Sequence, residues 1–182
     1  MTKKDFRDSV LSMREALDKK EAEYISRGIC YEITELDAYK NATDVCLYMT
    51  IKNEVDLTSL MKQCFTDKKN VWLPRVIDKT MEFYAYTPDT KLITGAYDIK
   101  EPDSDKLLSP DDNTLIVMPG AVFSEKKERI GYGGGYYDRY MAKYPCCKTV
   151  APCFELQVYP EIPTDEHDIK PDIIITEERT IV

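Results

Sequence analysis

The feature that most constrains this chain is a run of glycines between a predicted strand and a predicted helix. Four of the 7 glycines fall within residues 129–140. Glycine adopts positive φ angles without a Cβ clash, so backbone N–H groups in such a run can approach an anion closely. An apolar segment over 114–118 precedes the run, and a helical pattern over 136–144 follows it and ends at Pro145. Strand, glycine loop and helix in this order can hold phosphate at the helix N-terminus.

The loop matches neither of two common phosphate-binding patterns. It lacks the Gly-x4-Gly-Lys-Ser/Thr sequence, and the spacing of Gly131, Gly133 and Gly135 departs from G-x-G-x-x-G. From the residues alone, phosphate binding and a structural turn packed under the neighbouring tyrosines both stay open. Asp138 lies in the first turn of the predicted helix, where a carboxylate stabilises the helix and could hold magnesium against a polyphosphate.

Length and composition indicate one soluble domain over residues 1–182. A net charge of -8 argues against broad binding to nucleic acid or to anionic membranes, because both require clustered positive charge. No apolar run approaches the ~20 residues of a membrane helix, and no apolar segment of a signal peptide follows Lys3 and Lys4. We expect a cytoplasmic monomer that binds neither nucleic acid nor membranes.

The cysteines and the histidine restrict the possible chemistry. The six cysteines form no CxxC pair and no zinc-type spacing, so we interpret them as buried free thiols in a reducing compartment. His167 is the single histidine. A Ser-His or Cys-His mechanism would therefore have to use this residue.

Helical and strand patterns alternate along the chain. Thr2 and Asp5 resemble a capping box, and Phe6, Val10, Met13 and Leu17 then recur at helical spacing. On that first helix Lys3, Lys4, Arg7 and Arg14 lie off the apolar stripe, which is typical of a solvated basic face. Asp18 begins a second helix and Asp56 could cap a third, while strands are predicted over 45–49, 71–73, 81–86, 114–118, 149–151 and 173–175. Residues 92–108 look irregular. The alternation predicts an α/β fold with a mostly parallel sheet and helices on both faces.

Polar residues follow several of the predicted strands. Ligands of open α/β sheets bind outside the carboxyl ends of the strands. The residues that follow strand ends are Glu54, Asp56, Arg75, the glycine loop and Gln157. Asp165, Glu166, His167 and Asp168 precede the last strand instead. Each residue alone has a structural explanation, such as capping or surface pairing, but the group together favours a site at this edge.

Two adjoining segments carry a resemblance to a known family. The first reads Met118-Pro119-Gly120-Ala121-Val122-Phe123, and the second reads Arg129-Ile130-Gly131-Tyr132-Gly133-Gly134-Gly135-Tyr136-Tyr137-Asp138. They match the pattern Pro-Gly-x-x-Phe, a variable turn, and Arg-x-Gly-x-Gly-x-Gly-Tyr-Tyr-Asp. The chain therefore resembles the 5-formyltetrahydrofolate cyclo-ligase family, also called methenyltetrahydrofolate synthetases. The segments 53–56, 73–76 and 154–157 extend the resemblance.

The resemblance implies an enzyme with a three-layer α/β/α sandwich. Such an enzyme uses ATP and magnesium to convert 5-formyltetrahydrofolate to 5,10-methenyltetrahydrofolate, ADP and phosphate, through a phosphorylated formyl group and without a protein nucleophile. The implied ATP site comprises Lys3, Lys4, Arg7, Arg129, Gly131, Tyr132, Gly133, Gly134, Gly135, Tyr136 and Tyr137. The implied folate site comprises Met49, Glu54, Tyr132, Gly133, Gly134, Gly135, Tyr136 and Gln157. The implied magnesium ligands are Asp138 and Asp168.

The chain departs from the family pattern at two places, and other functions stay open. Gly134 stands where some members carry a lysine, and the turn over 124–128 is unusually charged. One alternative is a silent relative that binds nucleotide or folate without turnover. A second is a sugar-phosphate isomerase-like enzyme, with Glu54 or Asp168 as its base. A third is an interaction domain with a structural glycine turn.

Overall fold

The computed structural model describes all residues, 1–182, and contains five α-helices, two short 3-10 helices (Ala96–Asp98 and Glu155–Gln157) and twelve strands. The helices are α1 (Lys3–Glu15), α2 (Lys19–Glu35), α3 (Asp37–Asn41), α4 (Thr58–Thr66) and α5 (Tyr136–Lys143). The first strands are β1 (Asp44–Cys46), β2 (Asn70–Ile77), β3 (Thr80–Tyr86), β4 (Leu92–Thr94), β5 (Lys100–Pro102) and β6 (Thr114–Val117). The remaining strands are β7 (Val122–Ser124), β8 (Arg129–Ile130), β9 (Lys148–Pro152), β10 (Val158–Tyr159), β11 (Ile173–Ile175) and β12 (Thr180–Ile181).

A seven-stranded sheet in the order β12-β11-β9-β6-β1-β2-β3 forms the centre. Its five inner strands run parallel to one another, whereas β12 and β3 pair antiparallel at the two edges. Every residue of β6 is buried, as expected for a strand that is covered on both faces. The prediction of a mostly parallel sheet is confirmed.

Each face of the sheet carries its own hydrophobic core. Val45 and Leu47 point to the side covered by α2, α3 and α4. Cys46, which lies between them, points to the opposite side, where Tyr140 and Met141 of α5 pack. Successive side chains of a strand alternate between faces, so helices cover both sides. This is the expected three-layer α/β/α arrangement.

Helix α1 packs on a second, three-stranded sheet in the order β10-β7-β8. Val10 of α1 joins Ala121, Val122, Ile130 and Ile162 in a small third core. The glycine loop was predicted to follow the strand over 114–118, but it follows β8 of this second sheet. The reason is that residues 119–130, between that strand and the loop, form a hairpin of β7, a charged turn and β8. This hairpin brings the chain back to the region where it left the strand.

Three further element predictions were wrong in detail. The first strand ends at Cys46. Strand β2 continues through Pro74 to Ile77, because beyond Trp72 it pairs with β3 alone and a proline there breaks no pairing with β1. The segment predicted to be irregular contains the antiparallel hairpin of β4 and β5.

All six cysteines are free, and five of them are buried, as predicted; Cys146 is half-buried. None of the helices has both the length and the apolar character that crossing a bilayer requires.

Candidate active site

The glycine loop connects β8 to α5 and exposes the start of that helix. Gly133 has φ 100° and Gly135 has φ 64°, values that residues with a Cβ rarely adopt. Gly135 is the N-cap of α5 and supplies no side chain to the first turn. The free N–H groups of that turn are available to an anion. Arg7 Nε donates to the Gly131 carbonyl at 2.8 Å, so α1 anchors the loop from the other side.

Arg129 lies buried beneath the loop with an unpaired donor. Its Nη1 donates to the Pro119 carbonyl at 3.2 Å, and its Nη2 donates to Asp138 Oδ1 at 2.7 Å. Its Nε is buried and has no hydrogen-bond partner. Buried donors are almost always paired in folded proteins, so this one indicates a place for an acceptor brought by a ligand.

The basic residues of α1 border the same loop. The guanidinium of Arg7 lies against Gly133, where an added Cβ would be 4.0 Å from both terminal nitrogens. Lys3 Nζ is 2.7 Å from Asp165 and also pairs with Asp168. Burial lowers the pKa of Lys3, but these hydrogen bonds outweigh it and raise the pKa above its ordinary value. Lys4 is exposed.

The two predicted magnesium ligands lie close together. Asp138 Oδ1 accepts from Arg129 and from the backbone N–H of Ile169 at 3.0 Å, which is the residue after Asp168. Asp168 Oδ2 accepts from Lys3 and from the N–H of Asp165 at 2.7 Å. Burial raises the pKa of Asp168, but the hydrogen bond from Lys3 and the other contacts outweigh it and hold it below its ordinary value.

These carboxylates fit a magnesium ion bound together with a polyphosphate. In each, the hydrogen bonds go to one oxygen and leave the second oxygen for another partner. Magnesium usually takes one or two carboxylates together with phosphates and water. No cluster of three or more ligating side chains occurs in the protein, so phosphate and water would complete the coordination around Asp138 and Asp168.

Glu54 lies at the other side of the loop, in contact with Tyr132. Its side chain is 7% exposed. Glu54 Oε1 accepts from the Tyr132 hydroxyl at 2.5 Å, and Oε2 accepts from the Ile51 N–H at 3.0 Å. Burial raises the pKa of Glu54, and the hydrogen bonds and the nearby Arg14 oppose that rise. Tyr132 thus links the glycine loop to Glu54.

Met49 and the other two tyrosines of the loop have separate surroundings. Met49 is half-buried just after β1. The Tyr136 hydroxyl lies 2.9 Å from that of Tyr97, and its ring is 5.0 Å from the Arg139 guanidinium. The Tyr137 hydroxyl is buried without a partner, and burial raises the pKa of this group well above its usual range.

Gln157 is buried, and both ends of its side-chain amide are hydrogen-bonded to the backbone. Its Nε2 donates to the carbonyls of Gly120 and Ala121 at 3.1 and 2.9 Å. Its Oε1 accepts from the Phe154 N–H at 3.0 Å. These backbone groups engage both ends of the amide, so Gln157 holds the segment that precedes β7.

Two other predicted strand-end residues have structural partners. Asp56 Oδ1 accepts from the N–H of Thr58, the first residue of α4, at 2.9 Å and from its hydroxyl at 2.6 Å, although the N-cap itself is Leu57. Arg75 lies within β2 rather than after its end, with its guanidinium 5.6 Å from the Tyr84 ring. His167 is exposed between Asp165 and Asp168.

Two residues of the region were missed from the sequence. Arg14 was expected on a solvated face, but it is completely buried, whereas Met13 is exposed. The signal was available, since position 14 is four residues after Val10 and lies on the same face of α1. Tyr97 lies at the tip of the β4–β5 hairpin with φ 58°, and no local pattern marked it.

A cleft of about 320 Å³ opens beside Glu54, between α2 and the segment over 50–56. Its lining residues are Leu17, Lys19, Ala22, Glu23, Ser26, Thr50, Ile51, Lys52, Asn53, Glu54 and Asp56. Glu54 lines this cleft, whereas no residue of the glycine loop does.

Comparisons with known proteins agree with the geometry. A model of the 5-formyltetrahydrofolate cyclo-ligase family matches residues 1–177. The probable 5-formyltetrahydrofolate cyclo-ligase of Schizosaccharomyces pombe is 36% identical over 174 residues, which cover 86% of this chain and 85% of the relative. The 5-formyltetrahydrofolate cyclo-ligase of Mus musculus is 28% identical over 156 residues, covering 77% and 76%. The NMR structure of Aquifex aeolicus 5,10-methenyltetrahydrofolate synthetase has a TM-score of 0.88 and 32% identity, covering 99% of this chain and 92% of that one.

Proposed function

Since the chain belongs to the 5-formyltetrahydrofolate cyclo-ligase family, we propose that it converts 5-formyltetrahydrofolate to 5,10-methenyltetrahydrofolate with ATP and magnesium. One observation carries this proposal. The 2.5 Å hydrogen bond from Tyr132 to Glu54 connects the glycine loop, which is suited to phosphate, with a buried carboxylate in one site. A reaction between a polyphosphate and a heterocyclic substrate needs these two recognition elements side by side.

The loop side suits ATP. The free N–H groups at the start of α5 and the unpaired Nε of Arg129 offer donors to phosphate oxygens. Arg7 and Lys3 add positive charge from α1. Phosphoryl transfer requires mainly positioning and neutralisation of charge from the protein, and these groups supply both.

The Glu54 side suits the pterin ring. A carboxylate accepts hydrogen bonds from N–H donors, which a pterin presents along one edge. In this proposal Met49 and Tyr136 would provide apolar and aromatic surface for the ring. Gln157 would support this side by holding the backbone of Gly120 and Ala121.

The proposed reaction proceeds in two steps without a protein nucleophile. First the formyl oxygen attacks the γ-phosphorus of ATP, the bond to the bridging oxygen breaks, and ADP leaves. The formyl carbon of the resulting imidoyl phosphate is a good electrophile. The neighbouring folate nitrogen then attacks that carbon, loses its proton, and phosphate departs with the C–O bonding electrons as the methenyl bridge forms.

Asp138 and Asp168 would hold the magnesium ion of this reaction. When bound, the ion neutralises the charge that develops on phosphate oxygens. Arg129 and Lys3 keep the two carboxylates in place. The free thiols suit a reducing compartment, so the cytoplasm stays our expectation for the location.

The test is the absorbance of the methenyl-folate band in the near ultraviolet. Protein is mixed with 5-formyltetrahydrofolate, ATP and magnesium, and each component is omitted in turn. An increase that requires all three supports the proposal. If the absorbance does not increase but calorimetry shows that ATP binds, the protein is the silent relative. If the absorbance does not increase and ATP does not bind, the glycine loop is a structural turn.

A further inference from the structure

We propose that Arg14 is a positioning residue, which fixes the orientation of the Tyr132–Glu54 pair and the turn that carries Glu54. The inference rests on the proposed function, because it assigns Arg14 to recognition of the folate substrate. None of the predicted site residues includes Arg14.

The burial of Arg14 requires an explanation. It is 0% exposed, although arginine is almost never fully buried unless it is paired. No carboxylate forms an ion pair with it. Its Nε and Nη2 donate to the Lys52 carbonyl at 3.2 and 2.5 Å, and its Nη1 donates to the Tyr132 hydroxyl at 2.9 Å.

The hydrogen bond from Arg14 to the Tyr132 hydroxyl sets the direction of a hydrogen-bond chain. A guanidinium donates and never accepts. The Tyr132 hydroxyl must therefore accept from Arg14, and its own proton points to Glu54 Oε1. This order keeps Glu54 as an acceptor, the role that reading pterin N–H groups requires. Without Arg14 the hydroxyl loses the donor that orients it.

The two hydrogen bonds from Arg14 to the Lys52 carbonyl hold the backbone that precedes Glu54. Lys52 and Asn53 have φ 48° and 53°, so two consecutive residues adopt the left-handed conformation. Arg14 donates twice to the carbonyl of Lys52, and Asn53 Nδ2 donates back to the Arg14 carbonyl at 3.5 Å. Glu54 follows directly. Arg14 thus positions the Glu54 carboxylate in two ways, through the Tyr132 hydroxyl and through the turn of Lys52 and Asn53.

Arg14 also favours the ionised form of Glu54. The charged and titratable groups that face Glu54 are Arg14, Lys52, Tyr48, Tyr132 and Tyr137. Burial raises the pKa of Glu54, and the hydrogen bonds from Tyr132 and Ile51, followed by the two cations, oppose that rise. Lys52 is exposed, whereas Arg14 is buried and screened less by water. Arg14 therefore supports the ionised carboxylate both directly and through the Tyr132 hydroxyl that it orients.

The test compares Arg14→Met and Arg14→Lys with Val10→Ala. Val10 lies on the same buried face of α1 and belongs to the core against which the Tyr132 ring packs, but it makes no side-chain hydrogen bond. Its variant therefore measures the effect of disturbing the packing of α1 while the hydrogen bonds of Arg14 stay in place. We expect Arg14→Met to raise the KM for 5-formyltetrahydrofolate about tenfold or more, the factor that corresponds to one lost hydrogen bond to a charged group. The KM for ATP should change by less than about threefold. Arg14→Lys should retain part of the folate affinity, because it keeps the charge.

The pH profile separates positioning from a purely structural role. In Arg14→Met the loss of folate affinity on acidification should begin at a higher pH than in the unmodified protein, because a buried cation that favours the ionised form of Glu54 is gone. Val10→Ala should leave that onset unchanged. If the unmodified protein turns over its substrates, and Arg14→Met has the same KM and pH profile as Val10→Ala, this inference alone is overturned. An unmodified protein that neither turns over nor binds folate would overturn the proposed function and the inference with it. If Arg14→Met does not fold, the same comparison is made with Arg14→Lys, where an unchanged folate KM and onset would refute the inference.

Discussion

At the scale of single residues, the site is built from charges that support one another. Asp138 faces buried Arg129, and Asp168 faces Lys3, so each proposed metal ligand already has a cation beside it. Each carboxylate therefore has one oxygen engaged by the protein and one oriented for another partner. A change of charge at either position tests the metal role and the structural role together.

Asp138→Asn should abolish magnesium-dependent turnover while retaining the fold. The amide oxygen can still accept from Arg129 and Ile169, but the buried guanidinium loses its counter-charge, at a cost of up to about 3 kcal/mol. Turnover measured against magnesium concentration, together with urea unfolding, checks this. Asp165→Asn is the matched control, since that carboxylate pairs with Lys3 but is 75% exposed. Unchanged activity of Asp138→Asn would refute the metal assignment.

Gly133→Ala should weaken ATP binding and reduce stability by about 1–2 kcal/mol. The cause is the φ of 100° rather than lack of space, since the added methyl would only touch Arg7 at 4.0 Å. Calorimetric titration with ATP and thermal unfolding measure the two effects. Gly28→Ala in α2 is the control, because nothing lies within 4 Å of its added Cβ. That variant should gain up to about 1 kcal/mol and bind ATP as before.

At the scale of elements, α1 contributes to the site through its first turn. Thr2 Oγ1 accepts from the Asp5 N–H at 3.2 Å, and Asp5 accepts from the Thr2 N–H at 2.7 Å, which forms a complete capping box. Lys3 and Lys4 lie in the turn that this box holds. The order of that turn is therefore linked to the supply of positive charge at the loop.

Thr2→Ala should destabilise the protein by about 1 kcal/mol and raise the KM for ATP several-fold. The helix start frays, and Lys3 loses its fixed position. Asp18→Ala removes the N-cap of α2, whose Oδ1 accepts from Lys20 and Glu21 at 3.0 Å. This control should lose similar stability with the KM for ATP unchanged. Equal effects of both variants on ATP would contradict the proposed role of the first turn.

Elements with strong local signals were predictable from the sequence. The caps at Thr2 and Asp18 marked two helix starts, and continuous apolar runs marked the inner strands, which are buried on both faces. The β4–β5 hairpin was not predictable, because its side chains are largely exposed and carry no alternation. Arg14 was misjudged because its charge favours solvent, and only tertiary hydrogen bonds make its burial possible.

At the scale of the whole molecule, the protein is acidic, but several of its cations gather at the site. The net charge is -8, yet Arg7 and Arg129 lie against the glycine loop, and Lys3 lies beside Asp168. The surrounding acidic surface opposes unselective binding of polyanions, while the loop attracts a phosphate at short range. The family pattern made these three residues predictable as neighbours, whereas their pairing with Asp138 and Asp168 required the three-dimensional arrangement.

Stability should fall in acid in a manner that depends partly on Asp168. Its pKa in the folded protein lies below the ordinary value of 3.8, so its contribution is present above 3.8 and disappears as pH falls through the folded value. Burial raises the pKa of Glu54, so that group acts in the opposite sense. The urea midpoint of Asp168→Asn should lie below that of the unmodified protein at pH 7, and the gap should begin to close as pH falls below the ordinary pKa of 3.8 and vanish below the folded value. A gap that is constant with pH, or equal to that of Asp165→Asn, would refute the pairing with Lys3.

The hydrogen bond between Tyr132 and Glu54 also implies thermodynamic linkage between the two substrates. Tyr132 belongs to the glycine loop and orients the Glu54 carboxylate through this bond, so the nucleotide and the pterin act on one connected pair of residues. A nucleotide that orders the loop would therefore also order the carboxylate and tighten folate binding. Reciprocity then requires folate to tighten nucleotide binding by the same factor. Binding of the two substrates would then be cooperative, and the proton that the Tyr132 hydroxyl donates to Glu54 would connect their sites.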